Sequence, residues 1–147
     1  MAVDNPNLNA RQFYRAAPAR RAEASNGPTS GEGESGPGVY LTNSEENARG
    51  YLPGYQPGHL LSVIADVRNP LVRHPDVPGD PGEHEYRDMR QTVGYDKPDV
   101  WHAELARRGY DAIEKHEPGS RHPYEIAVHP GKIRSVNEIG YDPGTSR

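Results

Sequence analysis

GPGVYLTNSEENARGYL, residues 36–52, decides how the chain is read. A glycine-rich approach leads into a β-type run, Val39-Tyr40-Leu41-Thr42. A polar turn follows, and a short helical segment then carries a second tyrosine, Tyr51. Ser44 suits an N-cap, because its hydroxyl can accept from the free amides of a first helical turn. Glu45 and Glu46 complement the positive end of the same helix. The spacing therefore predicts a strand over 39–42 and a helix over 44–52. The chain holds one phenylalanine and one tryptophan, so two tyrosines set among glycines raise the question of what their rings contact.

Working outward, Gln12–Ala16 reads as a short strand and 18–25 as one or two helical turns. Residues 26–38, NGPTSGEGESGPG, form a loop with almost nothing to bury. PGYQPG (53–58) is a turn. HLLSVIADV (59–67) is the strongest strand, and Asn69-Pro70 stops it. Residues 74–97 are polar and rich in proline and glycine, a connection long enough to be functional or mobile. DVWHAELARR (99–108) reads as a helix with an Asp cap, basic residues in the last turn and Gly109 as its stop. Strands follow at 110–115, 124–129 and 132–136, the first two separated by EPGSRHP. No internal repeat is present. Residues 1–11 form an extended lead-in, 12–140 a single domain and 141–147 a tail. Short strands gathering late in the chain predict α+β with an antiparallel-rich sheet, since a doubly wound parallel fold needs more helices.

At 147 residues with 33% hydrophobic content, the chain can bury one modest core. Glycine (16) and proline (15) are abundant, which predicts long connections. A net charge of −4 argues against a nucleic-acid binder that relies on bulk charge. With no cysteine, disulfides and thiol nucleophiles are excluded. No stretch is long and apolar enough to span a bilayer, and MAVDNPNLNARQFY lacks the apolar core of a signal peptide. The expectation is a soluble, cytoplasmic protein, or one delivered into a target cell as part of a larger toxin.

Each candidate side chain has a plain reading. Glu125 lies inside the apolar run Tyr124–Val128, and by alternation it shares a face with Ala127 and opposes Ile126 and Val128. The local pattern alone favours solvent for it. Arg15, flanked by Phe13 and Tyr14, reads as a surface arginine, although a guanidinium suits a bidentate grip on phosphate or ribose hydroxyls. Tyr40 and Tyr51 read as core aromatics with their hydroxyls at the rim. GEGESGPG lacks the glycine order of known phosphate loops. Seven histidines form no HExxH, so no metal site is expected.

Taken together, FYR (13–15), GVYLTNSEENARGYL (38–52) and YEIAVHPGKIRSV (124–136) resemble the ADP-ribosyltransferase superfamily. The nearest branch is the one named for a His-Tyr-Glu triad, typified by diphtheria toxin and the poly(ADP-ribose) polymerases. The tail, GYDAI followed by YEIAVHPGKIRSV, is also similar to the ADP-ribosyltransferase domains of phage polyvalent proteins and bacterial toxins. Tyr40 matches the triad tyrosine, Tyr51 the second tyrosine at the family's spacing, and Glu125 the glutamate. The first triad position carries Arg15 in place of histidine, with Ala16 where glycine usually follows. Pro123 stands where the Arg-Ser-Glu branch often has a Glu or Gln, so the triad is a mixed Arg-Tyr-Glu.

The resemblance implies two small, mostly antiparallel sheets flanking an NAD cleft, with short helices around it. NAD is then a substrate. Glu125 holds the ribose 2′-hydroxyl and stabilises an oxocarbenium-like state. Tyr40 and Tyr51 sandwich the nicotinamide, and Arg15 grips a ribose or phosphate. Tyr14, Thr42 and Gly38 are further contacts, with Gly36 and Gly38 admitting the ligand to the backbone. The acceptor is a protein, a nucleic acid or a small molecule, and an immunity protein is an expected partner. Water as acceptor gives an NAD glycohydrolase. An inactive transferase fold that docks a partner is the binding-module alternative, and a structural domain whose tyrosines are core residues is the third.

Overall fold

The computed structural model describes residues 10–20, 35–55, 57–120 and 123–144. The helical turns expected at 18–25 and the loop at 26–38 fall mostly outside them. Residues 18–20 form bends rather than a helix.

The fold is α+β, built on two small sheets. The first has the order β1-β3-β7, with β1 (Ala10–Ala17) and β7 (Ile133–Asp142) both antiparallel to β3 (Gly58–Asp66). The second has the order β2-β6-β5-β4: Val39–Leu41, Tyr124–Val128, Ala112–His116 and Pro70–Arg73. Its β2–β6 and β6–β5 pairs are antiparallel, and its β5–β4 pair is parallel. A parallel pair needs a crossover, and two helices supply it: α2 (Pro81–Val93) and α3 (Pro98–Arg107). The chain leaves β3 for the second sheet at Arg68 and Asn69. There the Asp111 carboxylate accepts both backbone amides, at 2.6 and 3.0 Å.

Alternation along the strands produces three apolar layers. Phe13, Leu61 and Val63 from the first sheet meet Val39, Leu41, Ile126 and Val128 from the second. Full burial of each such side chain is worth about 1.5–3 kcal/mol, so this layer does most to join the sheets. The opposite face of the second sheet offers Leu71, Ile113 and Ala127 to Tyr86 and Met89 of α2 and to Trp101 and Leu105 of α3. The outer face of the first sheet packs Ala16 and Leu60 against Ala48 of α1 (Glu45–Arg49) and against Leu52.

Several boundaries differ from the sequence expectation. The 74–97 connection contains α2, whose N-cap Asp80 accepts from Glu83 N at 2.8 Å with Pro81 in the first turn. Its apolar stripe of Tyr86, Met89 and Val93 is too sparse to stand out in a polar segment. Strand β4 begins at the proline expected only to stop β3. The helix expected over 44–52 ends at Arg49, although Ser44 caps it as anticipated, accepting from Asn47 N at 3.1 Å. Lys97, not Asp99, is the N-cap of α3. Strand β7 runs to Asp142, so the proposed tail at 141 begins inside a strand, and Ala10 and Arg11 belong to β1 rather than to a lead-in.

Candidate active-site cleft

The two sheets are joined edge to edge where Tyr14 and Thr42 exchange backbone hydrogen bonds, N to O, at 2.8 and 2.9 Å. At that seam lies a cleft of about 160 Å³ lined by Tyr14, Arg15, Ala16, Tyr40, Leu41, Thr42, Tyr51, Tyr55 and Glu125. Six of the seven residues singled out from the sequence thus meet at one place. They come from β1, β2, the turn after α1, and β6. The cleft follows from pairing: Tyr40 lies opposite Ala127 in β6, two residues beyond Glu125 and on the same face.

Tyr40 is fixed at both ends. Its hydroxyl accepts from Ser35 N at 2.9 Å and donates to Gly36 O, while its carbonyl accepts from Arg15 Nη1 at 2.7 Å. Burial raises the phenol's pKa, with the Glu125 charge adding to the effect and the Ser35 amide opposing it. The hydroxyl stays neutral, and the ring serves as a rigid wall.

Arg15 is held differently. Burial lowers its pKa, and its Nε is buried with no hydrogen-bond partner. Thr42 Oγ1, in the same cleft, is likewise buried and unpartnered. Buried polar groups are nearly always satisfied. Two orphans in one small cleft therefore mark a place suited to a polar ligand. Glu125 is not directed to open solvent, as its local pattern suggested. Its side chain is 19% exposed, and Oε1 lies 3.5 Å from Lys115 Nζ.

Gly38 is not among the lining residues, and protein atoms crowd both glycines. A Cβ on Gly38 (φ +149°) would stand 3.0 Å from Val128 O, and one on Gly36 (φ +84°) 2.9 Å from the Trp101 ring. Both positions require glycine for packing against β6 and α3.

Two residues of the site escaped the sequence reading. Tyr55 sits in PGYQPG, where a turn seemed sufficient explanation. Lys115 lies in register with Glu125 across the β5–β6 hairpin, a pairing that counting back from the EPGSRHP turn would have exposed. Among the described residues, no group of three or more His, Asp or Glu side chains is placed to hold a metal ion. No helix there is long and apolar enough to cross a membrane.

No protein-family model matches the chain, and neither a curated protein nor a solved structure matches it significantly.

Proposed function

We propose that the cleft binds NAD and that the protein is a mono-ADP-ribosyltransferase of ADP-ribosyltransferase-like fold, acting on an acceptor not yet identified. The observation that carries this reading is the meeting of Arg15, Tyr40, Tyr51 and Glu125 in one cleft with an orphaned guanidinium nitrogen. The volume of about 160 Å³ is close to the roughly 150 Å³ of a cavity that holds one benzene ring. It fits a nicotinamide ring rather than a whole dinucleotide. The rest of NAD would extend along the seam between the sheets, with a ribose or phosphate oxygen accepting from Arg15 Nε.

In this reading Tyr40 and Tyr51 fix the ring, and Glu125 accepts from the 2′-hydroxyl of the adjoining ribose. The bond between ribose C1′ and the pyridinium nitrogen breaks, its electron pair passing to the ring, so nicotinamide leaves neutral. Positive charge then develops on the ribose, where a preorganised carboxylate stabilises it best. A hydroxyl, amine or water attacks C1′ and releases its proton to solvent. Water as the attacking group makes the same site a glycohydrolase.

A second reading, an inactive binding module, is favoured by the ion pair that Glu125 already makes with Lys115. Nicotinamide release from NAD by the wild type and by Glu125→Gln, both checked for folding, separates the two. The enzyme reading expects release that the substitution abolishes. No release from the wild type, with or without cell lysate, leaves the binding module.

A further inference from the structure

Glu125 belongs to a charged array that the fold has partly buried. Its cross-strand partner in β5 is Lys115, whose Nζ lies 3.5 Å from Glu125 Oε1 and 3.4 Å from Glu117 Oε1. The Lys115 side chain is 1% exposed, against 28% for Glu117. Desolvating an ammonium costs several kcal/mol unless it is paired. Nothing in the packing of a strand that also offers Ile113 to the helices requires a charge there.

We propose that Lys115 is a positioning residue for Glu125: with Glu117 as its second partner, it fixes the carboxylate at the cleft wall. Glu117 and Glu125 together carry two negative charges against the one positive charge of Lys115, and the Arg15 guanidinium stands in the same cleft. Lys115 keeps Glu125 ionised, and Glu117 offsets the lysine charge that would otherwise oppose a developing ribosyl cation. The catalytic meaning of the array rests on the NAD reading; its electrostatics do not.

Other described groups surround Glu125. Tyr40, from β2, is neutral, its hydroxyl held by Ser35 and Gly36. Arg15 from β1 lies in the same cleft and donates to the Tyr40 carbonyl. Tyr14, Tyr51 and Tyr55 complete the wall. Arg73, in register with Lys115 on β4, is paired with Glu83. An ammonium in contact lowers a carboxylate pKa by about 1–3 units. Removing Lys115 therefore moves Glu125 ionisation to higher pH, and removing the Glu117 charge moves it to lower pH.

The test is an NMR titration of the Glu125 side-chain carboxyl in wild type, Lys115→Met, Lys115→Arg and Glu117→Gln. Nicotinamide release is followed across pH in the same proteins. The expected result is an upward shift of about one unit or more in Lys115→Met, a smaller downward shift in Glu117→Gln, and no more than a slight change in Lys115→Arg. The acid limb of turnover should move with the carboxyl, and turnover above the limb should fall in Lys115→Met, where the carboxylate is no longer held, while Lys115→Arg retains it. An unshifted Glu125 in folded Lys115→Met overturns the proposal. Should that variant not fold, a Glu125 titration indifferent to Glu117→Gln overturns it instead. Shifts of opposite sign with no nicotinamide release from any protein at any pH leave the array standing and reject the NAD reading.

Discussion

Two arginines, one in each sheet, are treated oppositely by the same fold: Arg73 is buried and Arg15 half-buried. Arg73 is bound by all three of its nitrogens: its Nε donates to Glu83 Oε1 at 2.6 Å, Nη2 to Glu83 Oε2 at 3.3 Å and Nη1 to Ser35 Oγ at 2.9 Å. Its guanidinium also lies 4.0 Å from the centroid of the Tyr86 ring. Among the described residues Arg15 makes one hydrogen bond, to a backbone carbonyl, and its buried Nε makes none. A buried guanidinium nitrogen without a partner is a cost that the described contacts do not offset. Arg73 holds the helical layer to the second sheet. Arg15 is placed where a ligand can complete it.

Four substitutions test this difference and the account of the cleft. Glu125→Gln keeps the shape of the cleft and removes its charge. Nicotinamide release should fall by about 100–1,000-fold, the scale of losing one preorganised electrostatic contact, with a lowered melting temperature by calorimetry because the buried Lys115 ammonium loses one of its carboxylates. Arg73→Met should destabilise the fold by about 3 kcal/mol in urea titration, because it strands the buried Glu83 carboxylate on Arg87 alone. Burial opposes ionisation of Glu83, but its hydrogen bonds from Arg73 and Arg87 prevail and lower its pKa.

Arg15→Met should leave stability within about 1 kcal/mol of wild type, since one hydrogen bond is lost while a poorly paired cation is relieved. NAD affinity in a background of Glu125→Gln should weaken by about tenfold or more. Equal destabilisation by the two arginine substitutions would erase the distinction between them.

The smallest effect is a pH dependence away from the cleft. Burial, with His129 adding to it, lowers the His102 pKa to about 4 from 6.5. Between those values the unfolded chain binds the extra proton and the folded one does not. This histidine's contribution is therefore complete above pH 6.5 and is lost progressively as pH falls toward 4. His102→Gln should flatten that part of a stability–pH profile measured by denaturant melts.

Legibility in the sequence followed local chemistry. The Ser44 cap, the Gly109 stop and the long apolar run of β3 were readable because each depends on residues close in the chain. The cleft residues were readable because Arg15, Tyr40, Tyr51 and Glu125 stand in an order that resembles a known pattern. Alternation alone would have sent Glu125 to solvent. That inference failed because β6 is covered on both faces, by the first sheet and by the helical layer, which leaves Glu125 in a cleft wall with its side chain 19% exposed. Helix α2 was hidden for the opposite reason. Asp80 and Pro81 start it and the Arg73–Glu83 pair anchors it, leaving few apolar residues to advertise it. Lys115 was invisible as a site residue because its meaning comes from strand register. The packing role of Gly36 and Gly38 was equally hidden, because their crowding comes from Trp101 and Val128, far away in the chain.

The most direct measurement follows the Arg15 and Arg73 side-chain Nε–H resonances by ¹⁵N NMR during NAD titration of the Glu125→Gln protein, which should bind without turnover. The expected result is a saturable shift of Arg15 Nε, as a ribose or phosphate oxygen accepts its proton, with Arg73 unmoved. An Arg15 signal unchanged through saturating NAD would contradict the assignment of this cleft as a nucleotide site.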